Sequence, residues 1–172
     1  MPGSMTLAEV NALSDEAFVS AFGGVYEHSP WVAHMALASR PYATIADMLV
    51  AFARAVREAG AQRQLALVRA HPELGHRLGI DPKLSAESES EQGGAGLDRL
   101  SPEDYARLSG LNAAYRGKFG MPFVICVRQA TKDVIMQSIT QRLESTPDEE
   151  LRVALSQIDA IAALRLTDRI RQ

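Results

Sequence analysis

Apolar residues recur along much of the chain at spacings of three and four, the period of a helix buried on one face. The clearest case opens at Ala43-Thr44-Ile45, where Ile45, Met48, Leu49, Phe52 and Val56 form a stripe and Gly60 stands where a C-cap belongs. Gln62 to Ala70 continues with Leu65, Leu67 and Val68 and runs into His71-Pro72. Proline disfavours the α conformation in the residue before it, so His71 is expected at or just past a helix end. A side chain there is well placed to face a cleft. Ser101-Pro102-Glu103-Asp104 supplies an N-cap, an N1 proline and first-turn acids, and Tyr105, Leu108, Leu111 and Tyr115 follow at helical spacing to Phe119-Gly120. Thr131 opens another helix, with Val134, Ile135, Ile139 and Leu143 on one face. Thr146-Pro147-Asp148-Glu149 starts the last, whose expected buried stripe is Leu151, Leu155, Ile158, Ile161 and Leu164. Ser14-Asp15-Glu16 and Ser29-Pro30-Trp31 mark two shorter starts.

Two segments break this pattern. Leu74 to Ser90 is polar, with Pro82, two glycines and a Glu/Ser alternation, and shows no clear apolar face. Met121 to Val127 is a short apolar run with β-branched residues behind Gly120. No second run of that kind exists to pair with it, and an isolated strand is not stable. It is therefore expected to be an extended connection whose backbone amides are open to a ligand. The fold expected is all-α: a single-domain helical bundle over residues 6–172, with one extended segment near 121–128. Residues 1–5 are set aside as a tag-like or disordered start, since Gly3-Ser4-Met5 has the form of a cloning remnant.

Composition narrows the classes. With 172 residues, 47% hydrophobic and 23% charged, the chain is an ordinary globular domain rather than a disordered one. Eighteen Lys plus Arg against 21 Asp plus Glu give a net charge of −3, which argues against a nucleic-acid binder. No apolar run reaches the roughly 18–20 residues of a membrane span. The start lacks the basic and apolar regions of a signal peptide, and the end, Arg169-Ile170-Arg171-Gln172, is not the Ser-Lys-Leu address, so the cytoplasm is expected. A lone cysteine, Cys126, excludes an intramolecular disulfide and any multi-cysteine zinc site.

Few residues are candidates for chemistry. An imidazole at His71 suits proton transfer near neutral pH, though a histidine at a helix end can equally cap a carbonyl. His71, Glu73 and His76 do not form a metal set: the histidines are five apart, on different helix faces, and a third ligand is missing. His28 and His34 have no ligand-spaced partners and read as surface or packing residues. Cys126 lies inside an apolar run and reads as a packing thiol rather than a nucleophile. The run Glu87-Ser88-Glu89-Ser90-Glu91 reads first as a solvated face. If helical, however, it sets Ser88, Glu91 and Gln92 on one face as a polar cradle. The glycines after it lack the Lys-Ser/Thr of a phosphate loop. Arg165 interrupts an apolar stretch, either as an exposed arginine near a helix C-terminus or as a bidentate clamp.

Taken together, His71-Pro72-Glu73-Leu74-Gly75, Ser88-Glu89-Ser90-Glu91-Gln92 with Ala95-Gly96-Leu97-Asp98, Leu111-Asn112-Ala113-Ala114-Tyr115, and Lys118 through Arg128 resemble the OHCU decarboxylase family. So does Gln157-Ile158 through Leu166. OHCU is 2-oxo-4-hydroxy-4-carboxy-5-ureidoimidazoline, an intermediate of urate breakdown. The resemblance covers nearly the whole chain. It implies an all-helical homodimer that needs no metal or organic cofactor and converts OHCU to (S)-allantoin and CO2. It implies His71 as the catalytic proton donor, assisted by Glu91. Substrate binding falls to Pro72, Ser88, Glu89, Ser90, Gln92, Phe123, Val124, Ile125, Cys126, Val127 and Arg165. Glu73 stands where the family commonly has Asp, and Met121 where it commonly has Phe. A helical ligand-binding module without catalysis is the competing class.

Overall fold

The computed structural model describes residues 4–75 and 84–171. Its helices are α1 (Leu7–Ala12), α2 (Asp15–Phe22), α3 (Trp31–Ala36), α4 (Ile45–Glu58), α5 (Ala61–Arg69), α6 (Ala86–Gly94), α7 (Pro102–Phe119), α8 (Lys132–Arg142) and α9 (Pro147–Arg169). The all-α expectation holds with one addition, a two-residue parallel pairing of β1 (Met5–Thr6) with β2 (Ile170–Arg171). Residues so few give no periodic signal. His76 and most of the polar stretch between Leu74 and Ser85 lie outside the described residues.

Local signals explain most helix starts. The side chains of Ser14, Thr44, Ser85, Ser101 and Thr131 each accept a hydrogen bond from a first-turn backbone N–H. Gly60 and Gly120 take left-handed φ values of +86° and +68° at the ends of α4 and α7, where a side chain would be strained.

The helices group into two compact units, residues 1–67 with 159–172, and residues 68–158. In the first, α4 buries Met48, Ala51, Phe52, Ala55 and Val56. Phe52 stacks on Tyr26 with centroids 6.1 Å apart, and Phe18 packs against both Phe22 and Phe52. The Tyr26 hydroxyl donates to Asp159 Oδ1 at 2.9 Å. Burial holds the Asp159 carboxyl above its ordinary value, against the opposing pull of this bond and of Arg57. In the second, α7 packs on α8, and Leu108, Tyr115, Phe123, Ile135, Met136, Ile139 and Ile158 fill the interior.

The last helix departs from its expected stripe. Of Leu151, Leu155, Ile158, Ile161 and Leu164, only Ile158 is fully buried; the others are partly covered. The buried seam instead runs Glu150, Ala154, Ile158, Ala162, Arg165 and Leu166. Alanines let neighbouring backbone come close, and each charged residue on the seam meets an opposite charge. Val134 of α8 is likewise exposed, while Met136 is buried in its place.

Candidate active site

The second unit gathers most of the candidate residues. His71 lies two residues beyond the end of α5, as its following proline demands, and its N–H donates to Val68 O at 3.1 Å. It is 5% exposed, and Pro72 is buried beside it. Three contacts tie this segment down. Arg69 Nε donates to Gly120 O at 2.9 Å, at the head of the extended run. Glu73 forms an ion pair with Arg116 of α7. Gly75 N–H donates to Gln92 Oε1 of α6 at 2.9 Å.

Helix α6 is the element hardest to see in advance. Ser85 caps it, and the glycine-rich stretch ends it: Leu97 N–H folds back to Gln92 O at 3.0 Å across Gly96, whose φ is +79°. The glycines thus build a helix end. The acidic run is helical and divided: Glu89 and Ser90 are exposed, Glu91 is partly covered, and Ser88 and Gln92 are buried. The solvated-face reading therefore holds for Glu89 and Ser90 and fails for Ser88 and Gln92, which sit one turn apart on the covered side.

The segment expected to be extended forms neither helix nor strand from Pro122 to Cys126, with Cys126 itself extended, and Val127 begins a 3-10 turn running to Gln129. Its backbone is not wholly open, which corrects one expectation. Cys126 N–H donates to Gln157 Oε1 at 3.0 Å, and Val124 O accepts from Arg142 Nη1 at 2.7 Å. Phe123 and Val124 are buried and Ile125 is partly covered. The turn after Cys126 packs against α6. Burial pushes the Cys126 thiol above its ordinary value, and the nearby Glu91 carboxylate adds to the shift. Cys126 is accordingly a packing thiol at the edge of the site, close enough to Glu91 to feel its charge.

Behind this segment stands a polar network that the residue patterns did not single out. Glu150, fully buried, accepts from the Tyr115 hydroxyl and from Arg142 Nε, both at 2.5 Å. The Arg142 guanidinium lies 4.3 Å from the Phe123 ring centroid. Burial, then the Glu150 contact, drives the Tyr115 phenol well above its usual range, so it stays a hydrogen-bond donor. A signal existed: a carboxylate recurring every four residues with Ala154 and Ile158 lies on a buried helix face.

Arg165 belongs to the first unit. It is 3% exposed, which overturns the exposed-arginine alternative. Nη2 donates to Glu27 Oε1 at 2.9 Å, and Nη1 donates to Val25 O at 3.2 Å. Burial without a paired carboxylate would be costly, and Glu27, 1% exposed, supplies it. Among the described residues no cluster of three His, Cys, Asp or Glu could hold a metal ion. No described helix is long and apolar enough to cross a membrane.

Comparison with known proteins decides the family. The model of OHCU decarboxylase matches residues 11–167. The chain belongs to the OHCU decarboxylase family. The 2-oxo-4-hydroxy-4-carboxy-5-ureidoimidazoline decarboxylase of Haloferax volcanii is 43% identical over 165 residues, covering 96% of both chains. That of Halalkalicoccus jeotgali is 40% identical over 164 residues, covering 95% of this chain and 91% of the relative. Among solved structures, an (S)-allantoin synthase superposes with a TM-score of 0.79 at 29% identity, covering 97% of this chain and 54% of that one. The histidine segment, α6 and the run from Pro122 to Val127 all lie in the second unit. Arg165 is held separately by its own carboxylate.

Proposed function

We propose that this protein decarboxylates OHCU to (S)-allantoin and CO2 in urate degradation, without a cofactor, with His71 as proton donor. Family membership supports the reaction. The observation that carries the assignment of roles is a nearly buried histidine on a segment tied to α6, whose covered face presents Ser88 and Gln92.

In OHCU the carboxylate sits on a ring carbon that also bears a hydroxyl. When the carbon–carbon bond to CO2 breaks, its electron pair forms a C=C bond to the ureido-bearing carbon and the C=N pair moves onto the ring nitrogen, which takes up a proton from solvent, leaving an enol. That enol then takes a proton on the ureido-bearing carbon while the hydroxyl loses one and becomes the ring carbonyl. His71 delivers the carbon-bound proton from one face, which sets the configuration of the product. Glu91 holds the imidazole or the substrate hydroxyl. Gln92 uses Oε1 on Gly75, so its contribution to the substrate is through the Nε2 hydrogens. Ser88 and the backbone of Phe123 to Val127 complete the binding surface, with Pro72 beside His71. Glu89 and Ser90, being exposed, contribute through the helix that carries them. Arg165 is assigned to the substrate by family resemblance, as a planar fork for carboxylate or ureido oxygens. The same resemblance supports a homodimer.

The test is to generate OHCU enzymatically from urate and follow its decay with and without this protein, in excess EDTA. Faster loss with stoichiometric CO2 supports the enzyme. Binding of OHCU with unchanged decay would instead indicate a ligand-binding module, and loss of activity in EDTA would contradict cofactor independence.

A further inference from the structure

The peptide group joining Leu74 to Gly75 is gripped from both sides. Its carbonyl accepts from Asn112 Nδ2 of α7 at 3.0 Å, and its N–H donates to Gln92 Oε1 of α6 at 2.9 Å. One residue earlier, Glu73 pairs with Arg116, one turn beyond Asn112 on α7. Gly75 has φ +78°, and a Cβ added there would stand 2.8 Å from Leu108 Cδ2, so this peptide lies hard against α7. On the other side of His71, its own N–H closes the turn onto Val68 O. The backbone carrying His71 is therefore anchored three residues before and three residues after the imidazole.

Asn112 is an unusual residue for its position. It is 3% exposed, on the same buried face as Leu108 and Tyr115, where a leucine would pack without burying an amide. Its Oδ1 has no hydrogen-bond partner among the described residues. A buried amide left half satisfied is a net cost to the fold. Packing gives no reason for it; the carbonyl it holds does.

We propose that Asn112 is a positioning residue for the decarboxylation: by holding the 74–75 peptide it sets the seat of the His71 imidazole. This rests on the reading of His71 as proton donor. Misplacing a reacting group by about 1 Å can cost about 10²-fold in rate. The loss belongs in kcat, since Asn112 acts on the donor rather than on the substrate. A misplaced donor also lets solvent protonate the ring carbon from either face, so the product loses enantiomeric purity.

The experiment compares wild type, Asn112→Leu, Asn112→Asp, His71→Asn and the double variant Asn112→Leu/His71→Asn on enzymatically generated OHCU. Rates are taken per folded molecule, and allantoin is resolved by chiral chromatography after subtracting decay in buffer. Each Asn112 variant is expected to lose about 10- to 100-fold in kcat, with KM within about threefold, and to give partly racemic allantoin. The double variant should be no slower than His71→Asn alone, because the two residues act through one group. Asn112→Asp keeps the shape and removes the donor, so it reads the same quantities if the leucine variant does not fold. If His71→Asn turns over at the wild-type rate, the assignment of His71 fails. If His71→Asn is inactive while the Asn112 variants keep wild-type kcat and enantiopure product, the positioning role fails and the His71 assignment stands. A lowered melting temperature with unchanged kcat per folded molecule would equally overturn it.

Discussion

Helices α4 and α6 relate sequence to burial in opposite ways. Helix α4 buries methionine, alanine, phenylalanine and valine, and its covered face is the apolar stripe visible in the sequence. Helix α6 buries a serine and a glutamine, and has no apolar stripe. Burying apolar surface is itself favourable, whereas burying an amide or hydroxyl costs free energy unless it is bonded. The first helix is thus explained by the core it fills. The second is explained by what one of its buried groups holds, namely Gly75 N–H near His71.

The contrast can be broken or sharpened by substitution. Phe52→Ala in α4 should destabilise the fold by about 3–5 kcal/mol, because it empties a fully buried aromatic site. Activity per folded molecule should be unchanged; chemical denaturation alongside OHCU kinetics checks both. Gln92→Leu in α6 should cost less stability, about 1–3 kcal/mol, from the Gly75 N–H it strands. Its activity loss should exceed that of Phe52→Ala at equal folded fraction, and the reverse order would erase the distinction between the helices. Glu89→Gln on the exposed side of α6 should change stability by no more than about 0.5 kcal/mol. Its effect on turnover should be the smallest of the three, measured as kcat/KM.

How much of this was visible in the sequence follows from the same contrast. Thr44, Ser101, Thr131 and Pro72 act through neighbours a few residues away, so caps, helix starts and the place of His71 could be read directly. The seam of α9 could not. Glu150 is buried because Arg142 and Tyr115 reach it, and Arg165 because Glu27, 138 residues earlier, accepts its hydrogen bond. Such pairings exist only after folding, and they turn charged residues inward where the pattern rule points the leucines. Asn112 stands within a family motif, yet its partner is a backbone carbonyl, which leaves no trace in residue types. The motif blocks carried the family even though α6 carried no helical pattern.

Whether His71 supplies the proton that completes decarboxylation is decided by His71→Asn on enzymatically generated OHCU. Asparagine keeps a polar side chain but cannot exchange a proton near neutral pH. The variant is expected to turn over about 10²–10⁴-fold more slowly with an unchanged circular dichroism spectrum and melting temperature. OHCU loss at the wild-type rate by the folded variant would contradict it.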